Sequence, residues 1–158
     1  MDGGNYSRMS PEFALTAALE TVEALTGKVW PMQPKPDARP AFAWYIPTGD
    51  EEERDLAGPC GLQEWTGQLH LVTSRQQRLS LLCRQAQEAL YRLQGTEAET
   101  PETGTGVEEG PQGRILIEEV RIEQASPDLY ETEVGYYRRV YNVWIDYQTE
   151  EIFTEEEP

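Results

Sequence analysis

The first helical pattern lies near the start of the chain, where apolar residues recur every three or four positions. Ser10 is a residue type that often caps a helix, and Pro11 has the fixed φ angle that suits the first helical position. Gly27 is suited to the end of a helix, because glycine adopts left-handed backbone angles without steric cost. The pattern therefore predicts a helix over residues 11–26.

A stronger helical pattern begins after Ser74. Ser74 and Gln77 have the spacing of a capping box, and Gly95 marks the end of the pattern. At roughly 1.5–3 kcal/mol for each large apolar side chain, burial of its apolar stripe contributes on the order of 10 kcal/mol, so we expect the central helix of the fold here. The stripe consists of Leu79, Leu82, Cys83, Ala86, Leu90 and Leu93.

Alternation of apolar and polar residues predicts two strands between these helices, over residues 41–46 and 62–73. A short extended piece at Val29-Trp30 precedes them, and a proline-rich connector links it to the first strand. In the second strand one face is apolar, with Trp65, Leu69 and Leu71. The positions expected to face solvent are Glu64, Thr66, Gln68 and His70.

Two further strands follow the second helix, over residues 114–124 and 133–148. The apolar phase of the first one changes near Glu118-Glu119, which predicts a β-bulge. Residues 96–113 hold five glutamates, four glycines and no Lys or Arg, and such a segment buries too little apolar surface to offset its ordering entropy. We expect a mobile acidic loop there.

The order of these elements, α-β-β-β-α-β-β, indicates the α+β class. We expect a mainly antiparallel sheet of four to five strands with the two helices on one face. The predicted organisation is a flexible N-terminus at residues 1–9, one α+β domain at 10–149 and an acidic C-terminal tail at 150–158.

The chain is strongly acidic. Its 158 residues include 29 Asp or Glu and 13 Lys or Arg, which gives a net charge of −16. This charge argues against sequence-specific nucleic-acid binding and against an anionic membrane surface, because both partners attract clustered Lys and Arg. No segment approaches the roughly 18 apolar residues of a membrane span, and a secretory signal pattern is absent, so we expect a cytosolic protein.

Few residues in this sequence suit catalysis or metal binding. His70 is the only histidine, and Cys60 and Cys83 are the only cysteines. A zinc site of these three residues is numerically possible but needs a carboxylate as fourth ligand, and Cys83 lies within an apolar stripe. A nucleophile pair of Cys60 and His70 has little more support, because His70 lies in mid-strand and Cys60 lies in a Gly-Pro-Cys-Gly turn. We therefore expect no enzyme activity, no metal and no cofactor.

Several short motifs follow one another in an order that resembles one protein family. These segments are A-L-x-x-A-L at Ala14 to Leu19, T-G-K-V-W-P at Thr26 to Pro31, the aromatic strand Phe42-Ala43-Trp44-Tyr45, the strand that ends in Thr73-Ser74, the L-x-x-L-C-x-x-A helix from Leu79, and then Pro127 to Tyr130 and Tyr136 to Tyr147. With them the chain resembles the tail-terminator and tail-completion proteins of long-tailed bacteriophages and prophages, over about residues 15–95 and more weakly beyond.

The resemblance implies a small subunit that forms a ring, usually of six copies, on the last ring of the tail tube. Such a ring stops tail growth and presents a face to the head. The implied partners are further copies of the chain, the tail-tube protein and a head-completion or connector protein. The implied location is the virion tail, assembled in the bacterial cytoplasm. A negatively lined passage would let DNA slide without adhesion.

We expect the assembly contacts on loops, because the resemblance carries no catalytic residues. The long acidic segment at 96–113 departs from the family pattern. The residues predicted for the interface are Asp50, Glu51, Glu52, Glu53, Arg54, Pro127, Asp128, Leu129 and Tyr130.

Two alternatives belong to other functional classes. An acidic protein that mimics DNA and binds a basic partner would also explain the charge, and it predicts carboxylates in rows on folded elements. A small enzyme is the third interpretation, and it requires a deep, partly apolar pocket.

Overall fold

The computed structural model describes residues 10–48, 62–99 and 113–151. Within these ranges the chain forms two α-helices, a short 3-10 turn at Glu23–Leu25 and seven β-strands. The elements in chain order are α1 (Glu12–Glu20), β1 (Val29–Pro31), β2 (Phe42–Pro47), β3 (Leu62–Thr73), α2 (Gln76–Tyr91), β4 (Glu97–Glu99), β5 (Gly113–Gln124), β6 (Leu129–Glu131) and β7 (Tyr136–Glu151).

All seven strands belong to one sheet with the order β1-β2-β3-β7-β5-β4, and β6 also pairs with β7. β1 and β2 are parallel, and the other described pairs are antiparallel. The predicted α+β class is confirmed, whereas the predicted number of four to five strands is too small. The predicted extended piece at Val29-Trp30 forms β1. The two strands that were not predicted, β4 and β6, have three residues each, which is too short to show an alternating pattern.

The main core lies between the two helices and one face of the sheet. β3, β5 and β7 supply alternate apolar residues to this face, as the pleat requires. The predicted stripe of α2 is confirmed, because its residues are buried except for Leu93, which is partly buried. The largest fully buried side chains are Tyr45, Leu15, Leu19, Leu25, Leu69, Leu71, Leu79, Leu90, Ile115, Ile117, Ile145 and Val120.

The first helix is shorter than the predicted range of residues 11–26. α1 begins at Glu12, whose backbone N–H donates to the Ser10 hydroxyl at 3.2 Å, and it ends at Glu20. The chain then tightens into the 3-10 turn before Gly27, which has a φ of 72°.

The predicted capping box of α2 is wrong. The helix begins at Gln76 with Arg75 as its N-cap, so Ser74 lies too early to cap it, and no side chain caps from the N-cap position. The Thr73 hydroxyl instead donates to the Arg75 carbonyl at 2.8 Å. This contact holds the tight connection between β3 and α2.

Part of the predicted mobile loop at 96–113 is ordered. Glu97–Glu99 pair with Arg114–Leu116, and residues 100–112 lie outside the described part of the chain. The predicted bulge is confirmed, because the register of β5 against β7 shifts between Ile117 and Glu119.

The last strand begins and ends later than predicted. β7 runs from Tyr136 to Glu151, so the first two residues of the predicted tail at 150–158 belong to the strand. It pairs with β3 on one side and with β5 and β6 on the other. The predicted N-terminus at 1–9 and the remainder of the tail lie outside the described residues.

Candidate interaction surface

The hairpin that joins β6 to β7 presents apolar side chains to solvent. Tyr130 is 52% exposed, Val134 is 54% exposed and Leu129 is 36% exposed. The Tyr130 and Tyr137 rings contact each other, with centroids 4.7 Å apart and planes tilted by 44°. We call residues 128–139 the hairpin end.

Hydrogen bonds make the turn of the hairpin end tight. The N–H groups of Val134 and Gly135 both donate to the Glu131 carbonyl, at 3.3 and 2.7 Å. Gly135 has a φ of 75°, which favours glycine at this position. The exposed Val134 therefore has a defined place at the tip.

A forked ion pair anchors the base of the hairpin end. Arg139 donates from Nε and Nη2 to the two carboxylate oxygens of Asp128, at 2.6 and 2.9 Å. This contact lowers the pKa of Asp128 and raises that of Arg139, because each charge favours the ionised form of the other. The Arg139 guanidinium also reaches the Tyr141 hydroxyl at 3.4 Å. The pair therefore joins the turn before β6 to the strand that leads into the core.

A second ion pair lies across the hairpin end. Arg138 Nη2 is 3.1 Å from the Glu131 carboxylate, and these two residues are on neighbouring strands. With both pairs formed, the exposed apolar residues are held on a fixed backbone. Interface anchors of this kind lose little conformational entropy on binding.

The sheet face opposite the two helices, here called the outer face, carries a second aromatic cluster. The Trp44 indole stacks on the His70 imidazole, with centroids 3.8 Å apart and planes 11° from parallel. The Phe42 ring contacts Trp30 and Tyr136 edge-on, with centroids 5.9 and 6.4 Å away. These contacts connect β1 and β2 to the start of β7.

His70 is buried, which corrects the expectation that it faces solvent. Its exposed fraction is 8%, and neither ring nitrogen has a hydrogen-bond partner. Burial lowers the pKa of His70 to about 4, and the charge of the nearby Arg138 acts in the same direction. The ring is therefore neutral at physiological pH, and it fills space under Trp44.

The helix side of the sheet also holds buried ionisable groups, among them Glu12 and Cys83. Burial raises the pKa of Glu12, while hydrogen bonds from Trp65 and Tyr45 oppose this change; the Trp65 Nε1–H donates to the carboxylate at 3.0 Å. Burial also raises the pKa of the Cys83 thiol. The prediction that Cys83 is a core residue is confirmed, because it lies in the main core.

Cys83 and His70, two of the three residues considered for a zinc site, lie on opposite sides of the sheet. Cys83 is on α2 in the main core, and His70 is on the outer face. The sheet between them separates the thiol from the imidazole. Cys60 lies outside the described residues, and within the described ranges no three His, Cys, Asp or Glu side chains are grouped to hold a metal ion.

The predicted interface residues have different surroundings. Pro127, Leu129 and Tyr130 are exposed, whereas Asp128 is partly buried against Arg139. The predicted acidic loop, Asp50, Glu51, Glu52, Glu53 and Arg54, lies outside the described residues.

Sequence reasoning missed three contributors to this surface: Val134, Tyr137 and Arg139. The four residues from Thr132 to Gly135 separate two strands and include a glycine, which is a hairpin signal. The pairing of Arg139 with Asp128 left no such sign, because it joins residues across the hairpin.

No model of a known protein family matches this chain. The chain also has no match among curated proteins. Neither described helix combines the length and the apolar character needed to cross a bilayer.

Proposed function

We propose that this protein is a structural subunit that acts through protein interfaces, as a tail-terminator ring at the head-proximal end of a phage or prophage tail tube. Its partners are further copies of itself, the tail-tube protein and a head-completion or connector protein. In this role it ends tail growth and joins the tail to the head, and it works in the virion tail without catalysis. The motifs named above and their resemblance suggest the family.

The observation that carries the proposal is the hairpin end. Exposed Tyr130 and Val134 stand on a turn that the Asp128–Arg139 pair anchors. Aromatic anchors on a rigid support are typical of protein interfaces, where Tyr and Arg are enriched.

The charge distribution also supports a passage for DNA. The described residues include 17 acidic and 11 basic side chains, and the rest of the chain has 12 acidic and 2 basic ones. Most of the net negative charge therefore lies in segments outside the described ranges. An acidic protein of this kind repels a polyanion, so DNA that moves through a ring would not adhere. The DNA-mimic alternative has less support, because the described residues mix 11 basic side chains with their 17 acidic ones.

Tail-tube capping tests the proposal. Purified protein is mixed with tubes grown from the tail-tube protein encoded in the same genome, and electron microscopy records tube lengths and end caps. The expected result is short tubes with one capped end. Tubes that grow to the same length with and without the protein would contradict the proposal.

A matched pair of variants sharpens the test. Tyr130→Ser with Val134→Ser removes apolar surface from the hairpin end, and we expect capping or self-association to be lost. Leu81→Ser with Tyr91→Ser removes comparable exposed apolar surface from α2 and serves as the control. Equal loss in both double variants would contradict a specific role for the hairpin end.

A further inference from the structure

One lateral edge of the sheet is basic in this acidic protein. Residues 28–41, here called the proline-rich edge, contain β1 and the connector to β2, with three basic side chains against the single acid Asp37. The basic residues are Lys28, Lys35 and Arg39. Lys35 and Arg39 are exposed, and none of the three forms an ion pair with another described residue.

The proline-rich edge also has a concave apolar part. An open cavity of about 540 Å³ lies against the connector, and Met32 beside it is exposed. Prolines and the Ala38 N–H bond to the Lys35 carbonyl restrict the backbone of the connector, so it loses little entropy when an aromatic surface binds it. The residues that line the cavity are Pro31, Met32, Gln33, Pro34, Lys35 and Pro36.

The opposite lateral edge has the complementary character. Residues 129–134, here called the β6 edge, expose Leu129, Tyr130 and Val134 beside the exposed acid Glu133. β6 lies on the far side of β7 from β3, so four strand spacings of roughly 4.8 Å separate it from β1. Within the described ranges, no strand pairs with the outer side of β6.

We propose that the proline-rich edge of one copy binds the β6 edge of the next copy, head to tail. Tyr130 and Val134 would contact the apolar cavity, and Glu133 would face Lys35 and Arg39. Such a contact is heterologous, and repetition of it closes a ring or extends a filament. This inference rests on the proposed ring, and it names the two surfaces that would form it.

Charge reversal tests the contact, with sedimentation measured over a concentration series. Lys35→Glu with Arg39→Glu makes both edges acidic, and Glu133→Lys makes both edges basic. Arg84→Glu with Arg92→Glu and Glu88→Lys are controls with the same changes in net charge, placed on exposed positions of α2 and of its C-cap. All samples share an ionic strength of about 0.15 M, where screening over roughly 8 Å weakens repulsion between distant charges.

We expect the wild-type protein to self-associate and each edge variant to do so at least about tenfold more weakly, because like charges then face each other. The controls should match the wild type. An equimolar mixture of the two edge variants should regain association, since opposite charges meet again at every contact. The triple variant with all three reversals should also regain it alone.

Three results would overturn the inference: a wild-type protein with the mass of a single chain at every concentration, edge variants that associate like the controls, or a mixture that does not recover. Tail-tube capping separates this failure from failure of the proposed function. If Lys35→Glu with Arg39→Glu caps tubes as well as the wild type, the edge contact is wrong and the function stands. If charge swapping restores association but no protein caps tubes, the contact stands and the function is wrong.

Discussion

The Trp44 indole and the His70 imidazole stack 3.8 Å apart on the outer face of the sheet, and they leave both imidazole nitrogens without a hydrogen-bond partner. The stack places a titratable ring where it cannot be hydrated. A charged imidazole is therefore unfavourable in the folded protein. This makes stability sensitive to mild acid.

His70→Phe should reduce that sensitivity. The folded pKa is about 4 and the unfolded one about 6.5, so between these values only the unfolded chain binds the proton, and stability falls as the pH is lowered. We expect the wild type to lose about 2 kcal/mol from this group between pH 7 and pH 5, a loss that the variant does not share. Urea unfolding at both pH values measures it.

The comparison is well defined because His70 is the only histidine of the chain. Carboxylates titrate in both proteins, so the difference between them isolates the imidazole. Parallel pH dependence of the two proteins would show that His70 is hydrated or hydrogen-bonded in solution.

Glu12→Gln should stabilise the protein at neutral pH by about 1 kcal/mol. Burial raises the pKa of Glu12, so this group favours the folded state at low pH and the contribution is lost as the pH rises through the folded pKa. Glutamine keeps an oxygen acceptor for the Trp65 Nε1–H and removes the buried charge.

Glu12→Ala is the matched control. It leaves the buried indole N–H without a partner, which costs about 1–3 kcal/mol. Thermal unfolding at pH 7 ranks the three proteins. A lower midpoint for Glu12→Gln than for Glu12→Ala would contradict this account.

Gly67→Ala should destabilise the protein by about 1–3 kcal/mol, because the added methyl group overpacks a filled space. A Cβ at this position would lie 2.5 Å from Cη2 of Trp65 and 2.9 Å from the Ile46 carbonyl oxygen. The indole must move, and its hydrogen bond to Glu12 weakens. Tryptophan fluorescence and chemical unfolding both report the change. Gly95→Ala is the comparison: its added Cβ meets no atom within 4 Å, so any destabilisation there comes from the φ of 79° and not from overpacking.

Arg139→Lys should loosen the hairpin end by about 1–2 kcal/mol, because lysine cannot form the two parallel hydrogen bonds to Asp128. Hydrogen exchange of amides in residues 128–138 should accelerate, while the core strands keep their protection. Arg121→Lys is the control, since its ion pair with Glu64 is exposed and contributes little. Unchanged exchange in Arg139→Lys would show that the fork does not hold the turn.

The sequence predicts those parts of the fold that have a long regular pattern. The stripe of α2 repeats over the whole helix, and the phase change near Glu118 reveals the bulge because the apolar residues on both sides are buried. Glu97–Glu99 has no such pattern. It becomes β4 because β5 offers an open edge to its backbone, which is a long-range contact.

The local sequence pattern also does not predict the burial of His70. In a strand, alternation assigns His70 to the polar face, but it does not report that Trp44 on the neighbouring strand covers it. The hairpin end likewise contains residues that the sequence indicated and residues that only a long-range contact makes important. Leu129 and Tyr130 were among the predicted interface residues, whereas Arg139 matters only through its contact with Asp128 across the hairpin.

The position of β7 has a consequence for how the chain folds during its synthesis. β7 is the last of the seven strands to be synthesised, yet it lies between β3 and β5 in the sheet. Until β7 has been synthesised, each of those 12-residue strands has an edge with unpaired backbone N–H and C=O groups, which can pair with another peptide. Translation that stalls before Tyr136 should therefore release an aggregation-prone fragment that requires a chaperone. A chain that includes β7 pairs the edges of β3 and β5 itself.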